Sequence, residues 1–188
     1  FRAFPGAQFT SVCDPDEGRC KGAQQATGAQ HAATDLRRML DDESVDAVVI
    51  AACDHWHAPA AIMACEAGKH VYVEKPCSHN IREGRLLLEA ARRERRVVQV
   101  GTQYRSHPVV NKAIQLIREG LIGDVLVAKA WNVEMRRNIG HGKPTNPPPG
   151  VDYDAWVGPA EFVPFQANRF HYEWHWWYNF GTGSMGNS

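Results

Sequence analysis

Apolar and polar residues fall in blocks along this chain, and the blocks change period in a regular way. Residues 45–52 form a nearly continuous apolar run, which predicts a strand covered on both faces. Residues 8–13, 70–74 and 97–100 read as three further short strands. Helical patterns separate them. The polar, Ala-rich stretch 17–26 predicts a helix that Gly28 ends. Thr34-Asp35 offers a cap for a second helix through Leu40. Residues 58–67 are helical in composition, with Gly68 as the stop. Residues 80–95 carry a cap and an apolar stripe at Ile81, Leu87, Leu88 and Ala91, and residues 108–119 form one more helix before Gly120. Strands alternating with helices of this length predict crossover units on a parallel sheet, an α/β fold.

The rhythm changes after Gly123. Residues 125–133 predict a longer strand, and residues 135–151 are rich in Pro and Gly. Consecutive prolines at Pro147, Pro148 and Pro149 forbid regular structure there. An aromatic block, residues 170–180, follows. This places a domain boundary near residue 123, dividing 1–123 from 124–188. The second part is expected to be too short to bury a core by itself, so that a further segment or a partner covers its aromatics.

Composition narrows the function classes. Lys+Arg and Asp+Glu both total 21, so the formal net charge is zero, and no basic stripe points to nucleic acid. Arg92, Arg93, Arg95 and Arg96 cluster where a helix ends, which suits its dipole. No apolar run reaches the ~18 residues a membrane helix needs. Five cysteines stand apart with no C-x-x-C pair, against a disulfide framework or zinc knuckle. The chain opens at Phe1 with no visible signal peptide, so its true start is expected to lie upstream. A cytoplasmic location is the default, with export left open.

Candidate chemistry gathers where strands end, because open parallel sheets present ligands at the carboxyl ends of their strands. Glu74-Lys75-Pro76 ends the run Val71-Tyr72-Val73 and sets an amine between a carboxylate and a rigid ring. A free lysine titrates at about 10.4. Even protonated, it can bond a substrate hydroxyl and the alkoxide that develops. Asp14 follows the first strand, where an acid of a dinucleotide fold accepts hydrogen bonds from the adenosine ribose. The phosphate-cradling G-x-G-x-x-G belongs about 20 residues earlier. Ala51-Ala52-Cys53-Asp54-His55-Trp56-His57 offers small residues for a flat ligand, then polar ones facing the crevice. Gly101-Thr102-Gln103-Tyr104-Arg105 permits close approach, with Gln103 and Arg105 as donors to a carboxamide or sugar hydroxyls. In the aromatic block, Arg169, His171 and Trp174 suit a sugar or cyclitol ring, or equally a subunit interface. His171 and His175 mimic an H-x-x-x-H zinc pair, but Glu173 is not at the glutamate position of H-E-x-x-H, so no metal is expected.

Together these segments resemble the Gfo/Idh/MocA oxidoreductases. The resemblance rests on Asp54-His55-Trp56-His57, on residues 67–76 ending in Glu74-Lys75-Pro76, and on Val100-Gly101-Thr102-Gln103. Gly158-Pro159-Ala160 and Phe180-Gly181-Thr182-Gly183 continue it. It implies a Rossmann-like parallel sheet followed by an α/β domain with an open antiparallel sheet, which carries substrate and often an oligomer interface. It also implies NAD or NADP as hydride carrier and a sugar, inositol or related polyol as substrate. On that resemblance Lys75 is the catalytic lysine, and Glu74 and Pro76 shape the nicotinamide pocket. Asp14 meets the ribose and favours NAD, while Asp54, His57 and Gln103 are cofactor or active-site contacts. Arg105, Arg169, His171 and Trp174 are substrate-side candidates. The full-length protein is expected to be a homo-oligomer. The family's acid–base histidine is expected beyond Ser188. Ala52-Cys53 and Ser184 depart from the family pattern. The resemblance also leaves open an NAD-dependent glycoside hydrolase, or a sugar or dinucleotide sensor without turnover.

Overall fold

The computed structural model describes residues 5–133 and 135–187. Among them five short strands alternate with helices, and every strand pair is parallel. Strand β1 (Ser11–Cys13) pairs with β2 (His31–Ala33). Strand β3 (Ala47–Ile50) pairs with β4 (His70–Glu74), which pairs with β5 (Val98–Gly101). The two sheets thus run in the orders β1-β2 and β3-β4-β5.

Local chemistry explains the helix boundaries. Helix α1 (Glu17–Thr27) starts because Asp16 accepts hydrogen bonds from the amides of Gly18 at 2.8 Å and Arg19 at 3.2 Å. It stops at Gly28, whose φ of 75° closes the last turn in a conformation that favours glycine. Helix α2 (Leu36–Leu40) is capped by Asp35. Helix α3 (Asp54–Glu66) follows β3, and α4 (Ile81–Arg93) follows β4. In α4 the Asn80 cap and Glu83 exchange hydrogen bonds, a capping box. Helix α5 (Pro108–Arg118) begins on its proline, as expected where the missing N–H is no loss.

The main core lies between the larger sheet and helices α3 and α4. Ala58, Ala61 and Ala64 on α3 are fully buried, and these small side chains let the helix pack closely on Val48, Ile50, Val71 and Val73. Leu87 and Ala90 close it from α4. The expectation that residues 45–52 are covered on both faces is corrected here. Burial alternates along β3, and Val49 is 46% exposed, because the described residues place cover on one face only.

The carboxyl-terminal part departs further from its sequence pattern. Residues 125–133 are not a strand: they form an exposed coil, with Leu126 and Val133 open to solvent. Their β-branched composition has no strand edge to pair with, and a strand cannot form alone. The aromatics of this part are covered by the N-terminal part of the same chain rather than by a further segment or a partner. Tyr153, Trp156, Val157, Phe165, Phe170 and Phe180 form a second buried cluster, joined by Cys53 from the N-terminal part. Helix α6 (Tyr153–Val157) supplies half of it, and short 3-10 turns at Ala167–Arg169 and His171–Trp176 fold the aromatic block around it. Helix α7 (Gly183–Asn187) ends the described chain.

The two parts are tied through the first turn of α3. The His55 amide donates to the carbonyl of Phe180 at 3.3 Å. Its ring nitrogens lie 3.3 Å and 3.2 Å from the carbonyls of Phe180 and Trp156. Asp54 accepts from the Thr182 amide at 3.0 Å and hydroxyl at 2.6 Å. Trp56 donates its indole N–H to the Trp156 carbonyl at 3.1 Å. A second tie runs from α1: Asp152 donates its amide to the Pro15 carbonyl at 2.9 Å, and the Glu17 amide donates to Gly150 at the same distance.

Two predictions follow from these ties. Burial lowers the His55 pKa from 6.5 to about 4, so the folded state holds it neutral. Between those values the unfolded chain binds more protons, and stability falls as pH drops from 6.5 toward 4. The full loss from this group is about 3 kcal/mol; urea denaturation at pH 7.5 and pH ~4.5 should show it, and His55→Gln should remove most of it. Gly158 has a φ of 49°, and a Cβ there would overlap the Trp56 ring. Gly158→Ala should therefore cost about 2 kcal/mol or more in the same assay.

Candidate active site

All five strands deliver a polar or small residue at their carboxyl ends. Asp14 follows β1, Thr34-Asp35 follows β2, Ala51-Ala52 follows β3, Glu74 ends β4 with Lys75 after it, and Gly101 ends β5. Parallel pairing within each sheet puts these ends on one side, where such sheets hold ligands. A cleft of about 590 Å³ opens there between β1 and β3, lined by Asp14, Asp35, Arg37, Ala51, Ala52 and Trp56 among others.

Asp14 sits on the wall of this cleft, and its carboxylate accepts the Asp16 amide at 2.9 Å. Burial raises its pKa, against the lowering effect of that hydrogen bond. His171 reaches this region from the aromatic block and lies 3.2 Å from the Asp16 carboxylate. Its pKa is lowered, because burial and the nearby Arg19 outweigh the attraction of Asp16 and Asp14. The fold thus brings His171 of the aromatic block against Asp16, two residues from Asp14, from the far end of the chain. No periodicity could have announced that.

The catalytic candidates lie past β4. The Lys75–Pro76 peptide is cis. Lys75 is partly buried and donates from Nζ to the Asn187 carbonyl at the end of α7. Glu74 turns back over β5: its carboxylate and the Tyr72 hydroxyl lie where a Cβ on Gly101 would be, at 2.9 Å and 2.8 Å. Gly101 is therefore required for close approach, although the group approaching it is Glu74 itself. Tyr72 has its pKa raised by burial and by the Glu74 carboxylate, a contact absent from the sequence reading.

His57 is 2% exposed, with its ring nitrogens 2.5 Å from the Pro76 carbonyl and 3.0 Å from the Ala52 carbonyl. It ties the cleft wall at Ala52 to the turn that carries Lys75. Asp54 is equally buried, and its carboxylate is taken by Thr182. His55 and His79 complete the same region, His79 lying 3.3 Å from the Gly181 carbonyl. Their only sequence signal was their neighbourhood to Asp54 and to the lysine turn.

Other candidates lie elsewhere. Gln103 and Arg105 occupy an exposed 3-10 turn, and Arg105 lines a shallow depression against α5. Arg169 is 7% exposed, donates to the Pro164 carbonyl at 2.6 Å and stacks 4.2 Å above the Trp177 ring. Trp174 stacks on His175 at 3.6 Å and packs on the aromatic cluster. The thiols of Cys13 and Cys53 are no rivals for the chemistry. Burial pushes Cys13 up to about 12 and raises Cys53 further, so both stay protonated and poorly nucleophilic.

Comparison with known proteins fits this geometry. The NAD-binding Rossmann-fold model of an oxidoreductase family matches residues 1–102, and the C-terminal α/β domain model of that family matches residues 109–188. Inositol 2-dehydrogenase 2 of Saccharopolyspora erythraea is 34% identical over 140 residues, covering 74% of this chain and 40% of that protein. Levoglucosan dehydrogenase of Pseudarthrobacter phenanthrenivorans is 36% identical over 104 residues, or 55% of this chain and 27% of that protein. A solved levoglucosan dehydrogenase, in complex with NADH and levoglucosan, superposes with a TM-score of 0.57 at 31% identity, covering 64% of this chain and 34% of that one. The chain thus spans between a quarter and two fifths of the length of the curated relatives it matches. The domain models and the parallel α/β architecture agree, and the chain belongs to the Gfo/Idh/MocA oxidoreductase family.

Proposed function

We propose that the protein transfers hydride between a nicotinamide cofactor and a secondary alcohol of a sugar, inositol or related polyol, with NAD preferred over NADP. The observation that carries this reading is the placement of Lys75 at the carboxyl end of β4, joined through Pro76 and His57 to Ala52 on the cleft wall. The site residues fit a dinucleotide. Asp14 offers an acceptor for ribose hydroxyls at the end of β1, and Ala51 and Ala52 leave the backbone open to a flat ring. When bound, the nicotinamide ring supplies the hydride acceptor.

Lys75 binds the reacting hydroxyl. Its ammonium has three N–H donors, and the Asn187 carbonyl takes one of them. A donor left over can hold the substrate oxygen and stabilise the negative charge that grows on it as the C–H bond breaks. Glu74 holds its carboxylate against Tyr72 and accepts the Lys75 amide at 3.4 Å, which fixes the backbone from which the amine projects. His57 positions the same turn through the Pro76 carbonyl. The relatives' named substrates, levoglucosan and inositols, are hydroxyl-rich rings, and the substrate class follows theirs. Asp14 sets the cofactor preference, since a carboxylate bonds a ribose hydroxyl and repels a 2′-phosphate.

Lys75→Ala in the full-length protein should lower kcat at least about 100-fold, the scale of one lost charge-stabilising donor. NADH affinity, measured by fluorescence titration, should change less than about threefold. Turnover that survives the substitution would take the lysine out of the chemistry.

A further inference from the structure

The rim of the cleft carries a charge arrangement that the proposed reaction does not use. Among the described residues lining the cleft there is one cation, Arg37, against the carboxylates of Asp14, Asp35 and Asp154. The guanidinium of Arg37 is turned onto its neighbour: Nε lies 2.9 Å and 3.1 Å from the two Asp35 oxygens, and Nη2 lies 2.8 Å from one of them. The pair lowers the Asp35 pKa and raises that of Arg37.

Both residues line the same cleft as Asp14, one strand over. Asp14 and Thr34 directly follow the adjacent parallel strands β1 and β2, and the Asp14 amide donates to the Ala33 carbonyl at 3.2 Å. A guanidinium in that position can accept the 2′-phosphate of NADP, whereas a carboxylate favours the free hydroxyl. Asp35 removes this option twice. It occupies the planar face of Arg37 that a phosphate would take, and it stays beside any anion that displaced it.

We propose that Asp35 acts as a cofactor-specificity residue by holding Arg37 in an internal ion pair, so that the cleft discriminates against a 2′-phosphate. This rests on the reading of the cleft as an adenosine site, and it goes beyond Asp14. The first turn of α2 carries a latent phosphate-binding arginine, and the acid that caps the helix keeps it out of use. Asp35 also caps α2 by accepting the Arg37 amide at 3.0 Å. Asparagine caps helices about as well as aspartate. The ion pair is largely solvent-exposed and contributes little to stability.

Asp35→Asn therefore separates specificity from folding. Adenosine 2′,5′-bisphosphate and ADP serve as probes, titrated calorimetrically against the full-length protein at constant salt, with NADPH and NADH as a second pair. Asp35→Asn should raise affinity for the 2′-phosphorylated ligand about tenfold, the scale of one charge-assisted bidentate contact. ADP affinity and the urea midpoint should stay within error. Adding Arg37→Gln to that variant should abolish the gain. An unchanged ratio in Asp35→Asn, or a gain that persists without the arginine, overturns the proposal. Failure of every form to bind either probe overturns the adenosine reading itself, and the specificity role with it.

Discussion

Everything at the ligand edge depends on how the first turn of α3 is held. Four consecutive residues, Asp54 to His57, each meet backbone or a hydroxyl from another part of the chain, His55 and Trp56 sharing the Trp156 carbonyl. Asp54, His55 and Trp56 hold the carboxyl-terminal segment at Thr182, Phe180 and Trp156. His57 faces the other way and holds the lysine turn at Pro76. Buried polar groups are costly when unpaired, so the arrangement is all or nothing: each side chain is stable where it is because the next segment is already docked. The burial that holds His55 neutral is part of this constraint.

Packing supports the same geometry. Phe180, fully buried, and Trp156 lie against the His55 ring at 5.0 Å and 5.9 Å between centroids. Aromatic pairs of this kind add to their area burial through their edge-to-face preference. Glycines make room at two contacts. Gly158 lies on the Trp56 ring, and Gly181 lies against the backbone of His175. A side chain at Gly158 would push helix α6 off Trp56 of α3, and one at Gly181 would press on the His175 backbone within the carboxyl-terminal segment.

The electrostatics divide the site into two regions with different tasks. Among the described residues that line the cleft near β1 and β2, the charges are carboxylates with one captive arginine. Near β4 the polar groups are a lysine, a glutamate and a tyrosine hydroxyl, suited to a developing oxyanion. The buried thiols between them are held protonated and stay out of both tasks.

The sequence by itself determined the elements whose signals are local. Caps at Asp35 and Asn80, stops at Gly28 and Gly68, and the strand before Glu74-Lys75-Pro76 were legible because each rests on residues within a few positions of one another. It did not reveal β2, since His31-Ala32-Ala33 has no apolar run and is a strand only because β1 lies beside it. Residues 125–133 failed in the opposite sense, with strong strand composition and no edge to join. Tertiary structure alone decided that Asp54 and His55 clamp a segment more than a hundred residues away, that Arg169 is buried over Trp177, and that His171 lies beside Asp16. Those facts depend on which surfaces meet once the chain has collapsed, and contacts between distant residues leave no period in the sequence.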